Sequence, residues 1–293
     1  MYIILGILFL IFCLIFYMVF IEPRRLKEKH YFIKKNKKKV LDISNAFDLY
    51  EHDSNIVICH LSDFHFARSF KPQRINRVIR SIMDIAPDLI VFTGDLIDNY
   101  EKWPHKETQR LVEKLKRMTA PMGKIAILGN HDYRNEGYYF VKEVLSEGGF
   151  TVLENEEIFG SNDEVSINIA GMDDCLSGEP EFHFERTLAQ WHLLLVHEPD
   201  AVLDTENIQN FDLILAGHSH GGQVRLPFLF YKTKGSMTYT HGLYLLAEKT
   251  LLSISNGIGT SKLPLRLGVP PEIIYYHLAK KPAEVEEKEE QKD

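Results

Sequence analysis

The amino-acid sequence predicts an α/β domain preceded by a membrane-spanning helix. Three observations carry that expectation. The N-terminus is an uncharged apolar run; short β-branched runs alternate with amphipathic helical stretches from about residue 52 to residue 279; and one apolar run after another stops at a residue of metal-ligand or catalytic type.

At 293 residues the chain is long enough for one large domain and an appendage. Residues 2–21 contain no charged side chain, and a helix of that length, at about 1.5 Å per residue, spans the roughly 30 Å hydrocarbon core of a bilayer. A cleaved signal peptide is the competing reading. The length of the run, with no basic segment before it and no small-x-small site after it, favours an uncleaved anchor. Residues 22–39 then carry nine basic side chains (Arg24, Arg25, Lys27, Lys29, Lys34, Lys35, Lys37, Lys38 and Lys39) against the two acids Glu22 and Glu28. The positive-inside rule places this flank and all that follows in the cytoplasm. The same cluster suits anionic headgroups, although a topology signal alone accounts for it equally well. The expected location is a single-pass cell-membrane protein with its domain on the cytoplasmic side.

A formal net charge of −7 offers no polycationic signal, so no nucleic-acid partner is expected. Only Cys13, Cys59 and Cys175 occur, with Cys13 inside the apolar run. This excludes a disulfide framework or a Cys-rich zinc site and suits a reducing compartment.

The run 56–61 ends in Ser62-Asp63-Phe64-His65. Residues 74–85 place Ile75, Val78, Ile79 and Ile82 at helical spacing, before Pro87 and a second run, 89–93, that ends in Gly94-Asp95. This is a β-α-β pattern. A helical stretch at 106–118 leads to the run 124–128, which ends in Gly129-Asn130-His131-Asp132. The run 193–196 ends in His197, and 213–216 ends in Gly217-His218-Ser219-His220. In layered α/β folds the residues beyond the carboxyl ends of strands converge on one rim. A lone Asp there caps a helix and a lone His packs in a core. Such residues after five successive runs imply a joint site.

These blocks, Asp63-Phe64-His65, Gly94-Asp95, Gly129-Asn130-His131-Asp132, His197 and Gly217-His218-Ser219-His220, resemble the calcineurin-like metallophosphoesterase superfamily and cover residues 56–220 in order. Beyond them Gly221-Gly222-Gln223-Val224-Arg225-Leu226-Pro227, Ser255-Asn256-Gly257-Ile258-Gly259 and the stretch 264–272 look like its membrane-associated bacterial branch, which includes UDP-diacylglucosamine pyrophosphatase-like members. The resemblance implies a four-layer α/β/β/α sandwich. It implies that Asp63, His65, Asp95 and His220 hold one metal, that Asp95, Asn130, His197 and His218 hold the other, and that Asp95 bridges them. It places His131 beside the phosphate, with Asp132 orienting it. The corresponding organisation is a transmembrane anchor at 1–22, a basic juxtamembrane linker at 23–51, the metallophosphoesterase domain at 52–279 and a disordered charged tail at 280–293.

The residue types suit the chemistry. Phosphodiester hydrolysis needs a nucleophile at neutral pH and compensation for charge on the phosphoryl oxygens, which two cations roughly 3.5–4 Å apart supply. A carboxylate such as Asp95 is the apt bridge between two dications. Mixed imidazole, carboxylate and amide donors favour Mn, Fe, Zn or Co over Ca, and Mn is the expected pair of ions. His131 is suited to donate to a phosphate or leaving oxygen, with Asp132 fixing its tautomer or capping the next helix. His60, inside the first run, reads as a packed strand residue, and Asp173-Asp174 as the end of a hairpin. The apolar stretch 226–231 is either a membrane-facing loop beside the site or part of the core. The expected activity is hydrolysis of a phosphodiester or pyrophosphate bond in a lipid-linked or nucleotide-linked substrate. The alternatives are a membrane-tethered scaffold on the same fold, or a protein phosphatase.

Overall fold

The computed structural model describes residues 1–34, 40–42, 55–67, 70–162, 165–185, 187–226, 229–247 and 249–279. The expected tail at 280–293, much of the expected linker, residues 35–39 and 43–51, and residues 52–54 at the start of the expected domain lie outside the described residues.

Helix α1 (Tyr2–Phe16) is apolar on every face and buries none of them. It runs on through a π turn (Tyr17–Ile21) and a 3₁₀ turn (Glu22–Arg24), so that Tyr2–Arg24 is one helical segment long and apolar enough to cross a membrane.

The strands follow as β1 (Lys27–Lys34), β2 (Val40–Asp42), β3 (Ile56–Leu61), β4 (Leu89–Thr93), β5 (Lys124–Ile127), β6 (Thr151–Val152), β7 (Glu156–Ser161), β8 (Ser166–Gly171), β9 (Trp191–Leu195), β10 (Leu213–Ala216), β11 (Arg225–Leu226), β12 (Leu229–Phe230), β13 (Gly242–Leu246), β14 (Thr250–Ile254) and β15 (Glu272–Ala279). Helices α2 (Asn76–Ile85), α3 (Thr108–Lys116) and α4 (Tyr138–Glu147) connect β3, β4, β5 and β6, which pair in parallel. One sheet has the order β2-β1-β15-β3-β4-β5-β6 and the other β13-β14-β10-β9-β8-β7, with β11 and β12 forming a separate pair.

Side-chain alternation along the strands builds the layers. Ile56, Ile58, Val91, Ile127, Tyr276, Leu193, Leu195 and Leu215 point between the sheets into a shared core. Their neighbours Cys59, Leu61, Ile90, Phe92 and Tyr275 face the opposite way and pack with Val78, Ile79 and Ile82 of α2, Leu111 and Leu115 of α3, and Val144 of α4. On the outer side of the second sheet Leu194, Ile214 and Leu252 pack with Val202 and Phe211. That layer is thin, made of 3₁₀ turns (Pro199–Leu203 and Ile208–Asn210) and loops. Helix α2 ends at Ala86, which adopts a left-handed conformation (φ 50°) just before Pro87, a residue that disfavours helical geometry behind it.

One segment departs from the sequence expectation. Residues 27–34, placed in a linker because of their lysines, form β1, which pairs in parallel with β15 from Lys27↔Glu272 to Lys34↔Ala279. Between the charged ends lies a short apolar core, Tyr31-Phe32-Ile33, which is buried. The long aliphatic stems of lysine pack along a strand while their ammonium groups reach solvent, and the local charge surplus masked the strand pattern.

Candidate metal centre

The carboxyl ends of both sheets form one rim. After β3 come Asp63 and His65, after β4 Asp95, after β5 Asn130 and His131, after β9 His197, and after β10 His218 and His220. All eight side chains are buried. Five of them sit in the left-handed region of backbone space: Asp63 (φ 52°), His65 (46°), Asp95 (61°), His218 (65°) and His220 (49°). Each such residue costs on the order of 1–3 kcal/mol unless its surroundings enforce it, and strain of this kind gathers at functional sites. Two glycines permit the crowding. A Cβ on Gly94 would lie 2.6 Å from the Gly129 amide nitrogen, and one on Gly129 would lie 2.6 Å from the His197 ring.

Donor atoms of Asp63, His65 and His220 lie within 4.8 Å of one another, as do those of Asp63, Asp95 and His197. Asp95 stands between the groups: its Oδ2 is 3.3 Å from both His65 Nε2 and His197 Nε2. Its Oδ1 accepts from the His131 amide at 2.8 Å. His218 Nδ1 is 3.1 Å from Asn130 Oδ1. The Ser62 hydroxyl donates to Asp63 Oδ2 at 2.6 Å and aims that carboxylate inward.

The ring orientations test whether these residues fit a cation. His197 Nδ1 donates to the Thr93 carbonyl at 2.7 Å, so its Nε2, which has no hydrogen-bond partner, turns toward Asp95. His218 Nε2 likewise donates to the Lys234 carbonyl at 2.8 Å, leaving Nδ1 facing the Asn130 oxygen and, at 3.8 Å, Glu198 Oε1. In these tautomers electron pairs face electron pairs, an arrangement that a proton or a metal ion resolves, with the carbonyls fixing the rings as outer partners of metal ligands do. The residues fit divalent cations.

Protonation shows the same demand for positive charge. Burial opposes a charge on His65, yet Asp95, Asp63 and Asp98 outweigh it and hold the ring at about 9. His197 is raised well above its ordinary value, again against burial, by Asp95. Asp95 is held well below the carboxylate range despite burial by the His197, His131 and His65 rings. His220 is driven far down by burial, with the His65 and Arg266 charges adding to it.

Three residues have roles that the sequence did not assign. Asp132, expected to orient His131, instead accepts backbone N–H bonds from Asp95 (2.8 Å), Leu96 (2.8 Å), Ile97 (3.2 Å) and Gly129 (3.0 Å). Its hydrogen bonds among the described residues thus go to the Asp95 turn and to Gly129. The His131 ring is held by Asp98: Nδ1 lies 2.8 Å from the Asp98 carbonyl and 3.2 Å from its carboxylate, and in the tautomer with a proton on Nδ1 it donates to that carbonyl, leaving Arg134 Nη1, 2.9 Å away, without an acceptor there. Burial notwithstanding, the His131 and His65 rings keep the Asp98 carboxyl below the ordinary range. Glu198, fully buried, offers an oxygen within 4.8 Å of donors on His197 and His218. The signals were the second acid in Gly94-Asp95-Leu96-Ile97-Asp98 and the acid beside His197. His60 is a satisfied core residue, bonded to Thr93 Oγ1 at 2.9 Å and Tyr276 at 3.2 Å.

Beside the cluster opens a cavity of about 370 Å³. Asp95, Asn130, His131, His218 and His220 form its polar floor, Arg134 and Lys262 bring positive charge, and Leu176, Val224, Tyr231, Leu263 and Leu265 supply apolar wall. In the apolar stretch 226–231, residues 227–228 lie outside the described residues, while Leu226 and Tyr231 are exposed.

Comparison with known proteins places these features in a family. A family model described as calcineurin-like phosphoesterase matches residues 56–222. The chain is 35% identical to an uncharacterized metallophosphoesterase, YkuE, of Bacillus subtilis (strain 168), over 89% of this chain and 88% of that protein. It is 32% identical to an uncharacterized metallophosphoesterase of Aquifex aeolicus (strain VF5), over 75% and 84% respectively. A transmembrane protein with metallophosphoesterase domain from Danio rerio is 26% identical, over 80% of this chain and 56% of that protein. With its two mixed sheets and the clustered metal-ligand residues at their common rim, the chain belongs to the calcineurin-like phosphoesterase family.

Proposed function

We propose that this protein hydrolyses a phosphodiester or pyrophosphate bond in a lipid-linked or nucleotide-linked substrate, using two divalent metal ions at the cytoplasmic face of a membrane. The observation that carries the metal-dependent part is the set of ring nitrogens that face inward, opposed to carboxylate and amide oxygens around Asp95. Asp63, His65, Asp95 and His220 would hold one cation, and Asp95, Asn130, His197 and His218 the other; Mn is the favoured metal. When bound, the ions activate water at neutral pH and offset charge on the phosphoryl oxygens.

The chain's own residues do the rest. His131, with Nδ1 committed to Asp98, keeps Nε2 for the phosphate and donates a proton to the departing oxygen. Asp98 positions the ring. Arg134, whose Nη1 lies 2.9 Å from His131 Nδ1, and Lys262 at the cavity rim attract anionic oxygens. The leucines and Tyr231 suit an acyl or other apolar portion of the substrate, which supports the lipid-linked choice. The basic flank after Tyr2–Arg24 supports a single-pass anchor with the domain on the cytoplasmic side.

The test uses the full chain in detergent with bis(p-nitrophenyl) phosphate and Mn²⁺. Hydrolysis is expected, together with its loss in Asp95→Ala and, through the missing contact of Nε2 to the phosphate, in His131→Ala. Undiminished turnover by Asp95→Ala would rule out the two-metal reading. A C-terminal reporter fusion checks topology, and activity outside the cytoplasm refutes the assigned side.

A further inference from the structure

A second cavity, of about 310 Å³, lies at the foot of the apolar helix, where Arg24 and Pro23 meet α2 and the loop before β15. Its lining includes Arg24, Arg74 and Arg77, with Phe70, Ile258 and Pro271 as apolar walls. A smaller cavity of about 220 Å³ shares Arg24, Arg74 and Phe70 with it and reaches Val19 and Phe20 on the helix. The basic pocket is therefore continuous with the apolar end of the segment Tyr2–Arg24.

Among the described residues three guanidinium groups line the pocket and no carboxylate does. Among the described residues their hydrogen bonds go to carbonyl groups. Arg24 Nη1 donates to Phe20 at 2.7 Å and Val19 at 3.2 Å, Arg77 Nη1 to the Arg24 carbonyl at 2.8 Å, and Arg74 Nη2 to the Pro23 carbonyl at 3.4 Å. The Arg74 guanidinium also lies 5.2 Å from the centre of the Phe70 ring. Carbonyls orient these groups without neutralising them. Arg74 is pushed below its ordinary value by burial and by the charges of Arg24 and Arg77. Arginines grouped in this way match the oxygens of a phosphate, which accept paired N–H donors.

Position selects the source of that phosphate. The pocket begins where the apolar helix ends, the level of lipid headgroups if the helix spans a bilayer. We propose that the cavity binds the phosphate group of an anionic phospholipid, held by Arg24, Arg74 and Arg77, with the adjoining space along Val19 and Phe20 taking the start of an acyl chain. A choline headgroup would bring its own cation to three arginines, so a net-negative lipid is the preferred occupant. The site is separate from the metal cluster but shares a wall with it: the Ile258 amide donates to the Ser62 carbonyl at 3.1 Å, and the Gly259 amide to the Asp63 carbonyl at 2.7 Å.

The experiment is native mass spectrometry of the full chain released from detergent micelles, titrated in separate arms with phosphatidylglycerol, phosphatidylcholine and inorganic phosphate. One phosphatidylglycerol per chain is expected to be retained, with at least fivefold weaker retention in both Arg74→Gln and Arg77→Gln. Melting temperatures report folding. Arg77 is exposed, so Arg77→Gln decides the matter if Arg74→Gln is unstable. Equal retention of phosphatidylglycerol by wild type and Arg77→Gln overturns the proposal. So does phosphatidylcholine binding as tightly as phosphatidylglycerol, or arginine-dependent binding of inorganic phosphate with no preference for the lipid.

Discussion

Replacing Asp98 by Asn keeps the size of the side chain and the carbonyl that accepts from His131 Nδ1, and removes one negative charge 3.2 Å from that nitrogen. If His131 is the acid, its ring must carry a proton when the leaving oxygen departs, and Asp98 stabilises that proton. Coulomb's law at this separation gives about 5 kcal/mol at an effective dielectric near 20 and about 1.3 kcal/mol in bulk water. The Asp98 side chain is 35% exposed, so the effect belongs between these limits. A value of about 3 kcal/mol corresponds to roughly a hundredfold loss in kcat. The loss depends on the leaving group. p-Nitrophenolate departs readily without a proton, whereas an alkoxide does not, so Asp98→Asn is expected to slow an alkyl phosphodiester roughly a hundredfold and bis(p-nitrophenyl) phosphate much less. Steady-state rates on both esters, with metal content measured beside them, make the comparison. Equal losses on the two substrates, or no loss on the alkyl ester with metals retained, would refute the assignment of Asp98 and His131.

Asp132→Ala should act on stability: four backbone N–H groups lose their acceptor, and at roughly 1–3 kcal/mol per buried donor, partly relieved by relaxation, a loss of at least about 3 kcal/mol is expected. Thermal unfolding should then shift down by about 10 °C, and an unchanged melting temperature contradicts this role. Metal affinity should rise with pH up to about 9, because His65 is held protonated to about 9 and must become neutral to act as a ligand. Calorimetry in buffers of different ionisation heat should detect proton release on Mn²⁺ binding at pH 7, and its absence argues against His65 as a ligand. Leu263, exposed at the cavity rim, should matter only to amphiphilic substrates. Leu263→Asp is expected to lower kcat/KM on a lipid-linked diphosphate about tenfold, the rate equivalent of one leucine's contact at about 1.5 kcal/mol. Loss of bis(p-nitrophenyl) phosphate hydrolysis in the same variant would speak against a contact confined to the apolar part of the substrate.

The pattern of apolar runs was enough to foresee the parallel core of the first sheet and the convergence of its carboxyl-end residues, because burial imposes a period on strands and helices that survives in a single chain. Ile75, Val78, Ile79 and Ile82 are all buried as their spacing implies. Contacts that depend on tertiary approach were less legible. Asp98 reaches His131 from 33 residues away in the chain, and its one signal, a second acid three residues after Asp95, does not name the ring it meets. Asp132 is adjacent to His131 in sequence, which suggested a partnership, but the backbone sends the two side chains in different directions. Glu198 was overshadowed by its neighbour His197. Strand β1 was hidden because its lysines weigh heavily in composition, whereas its pairing with β15 depends on a partner more than two hundred residues away.

That pairing bears on how the protein is made. Strand β15 sits between β1 and β3, so among the described strands the first sheet is completed only by the one that leaves the ribosome last. A nascent chain inserted through Tyr2–Arg24 would hold β1 at the membrane surface, without its parallel partner, until residues 272–279 emerge. Long-range strand pairing is intrinsically slow, and an open strand edge invites misassociation. Where the helix spans a bilayer, tethering would restrict that edge to a thin layer beside it, and the lysines flanking Tyr31-Phe32-Ile33 discourage contact between neighbouring unfinished chains. Early termination anywhere before β15 would therefore leave β1 and β3 without the strand that joins them.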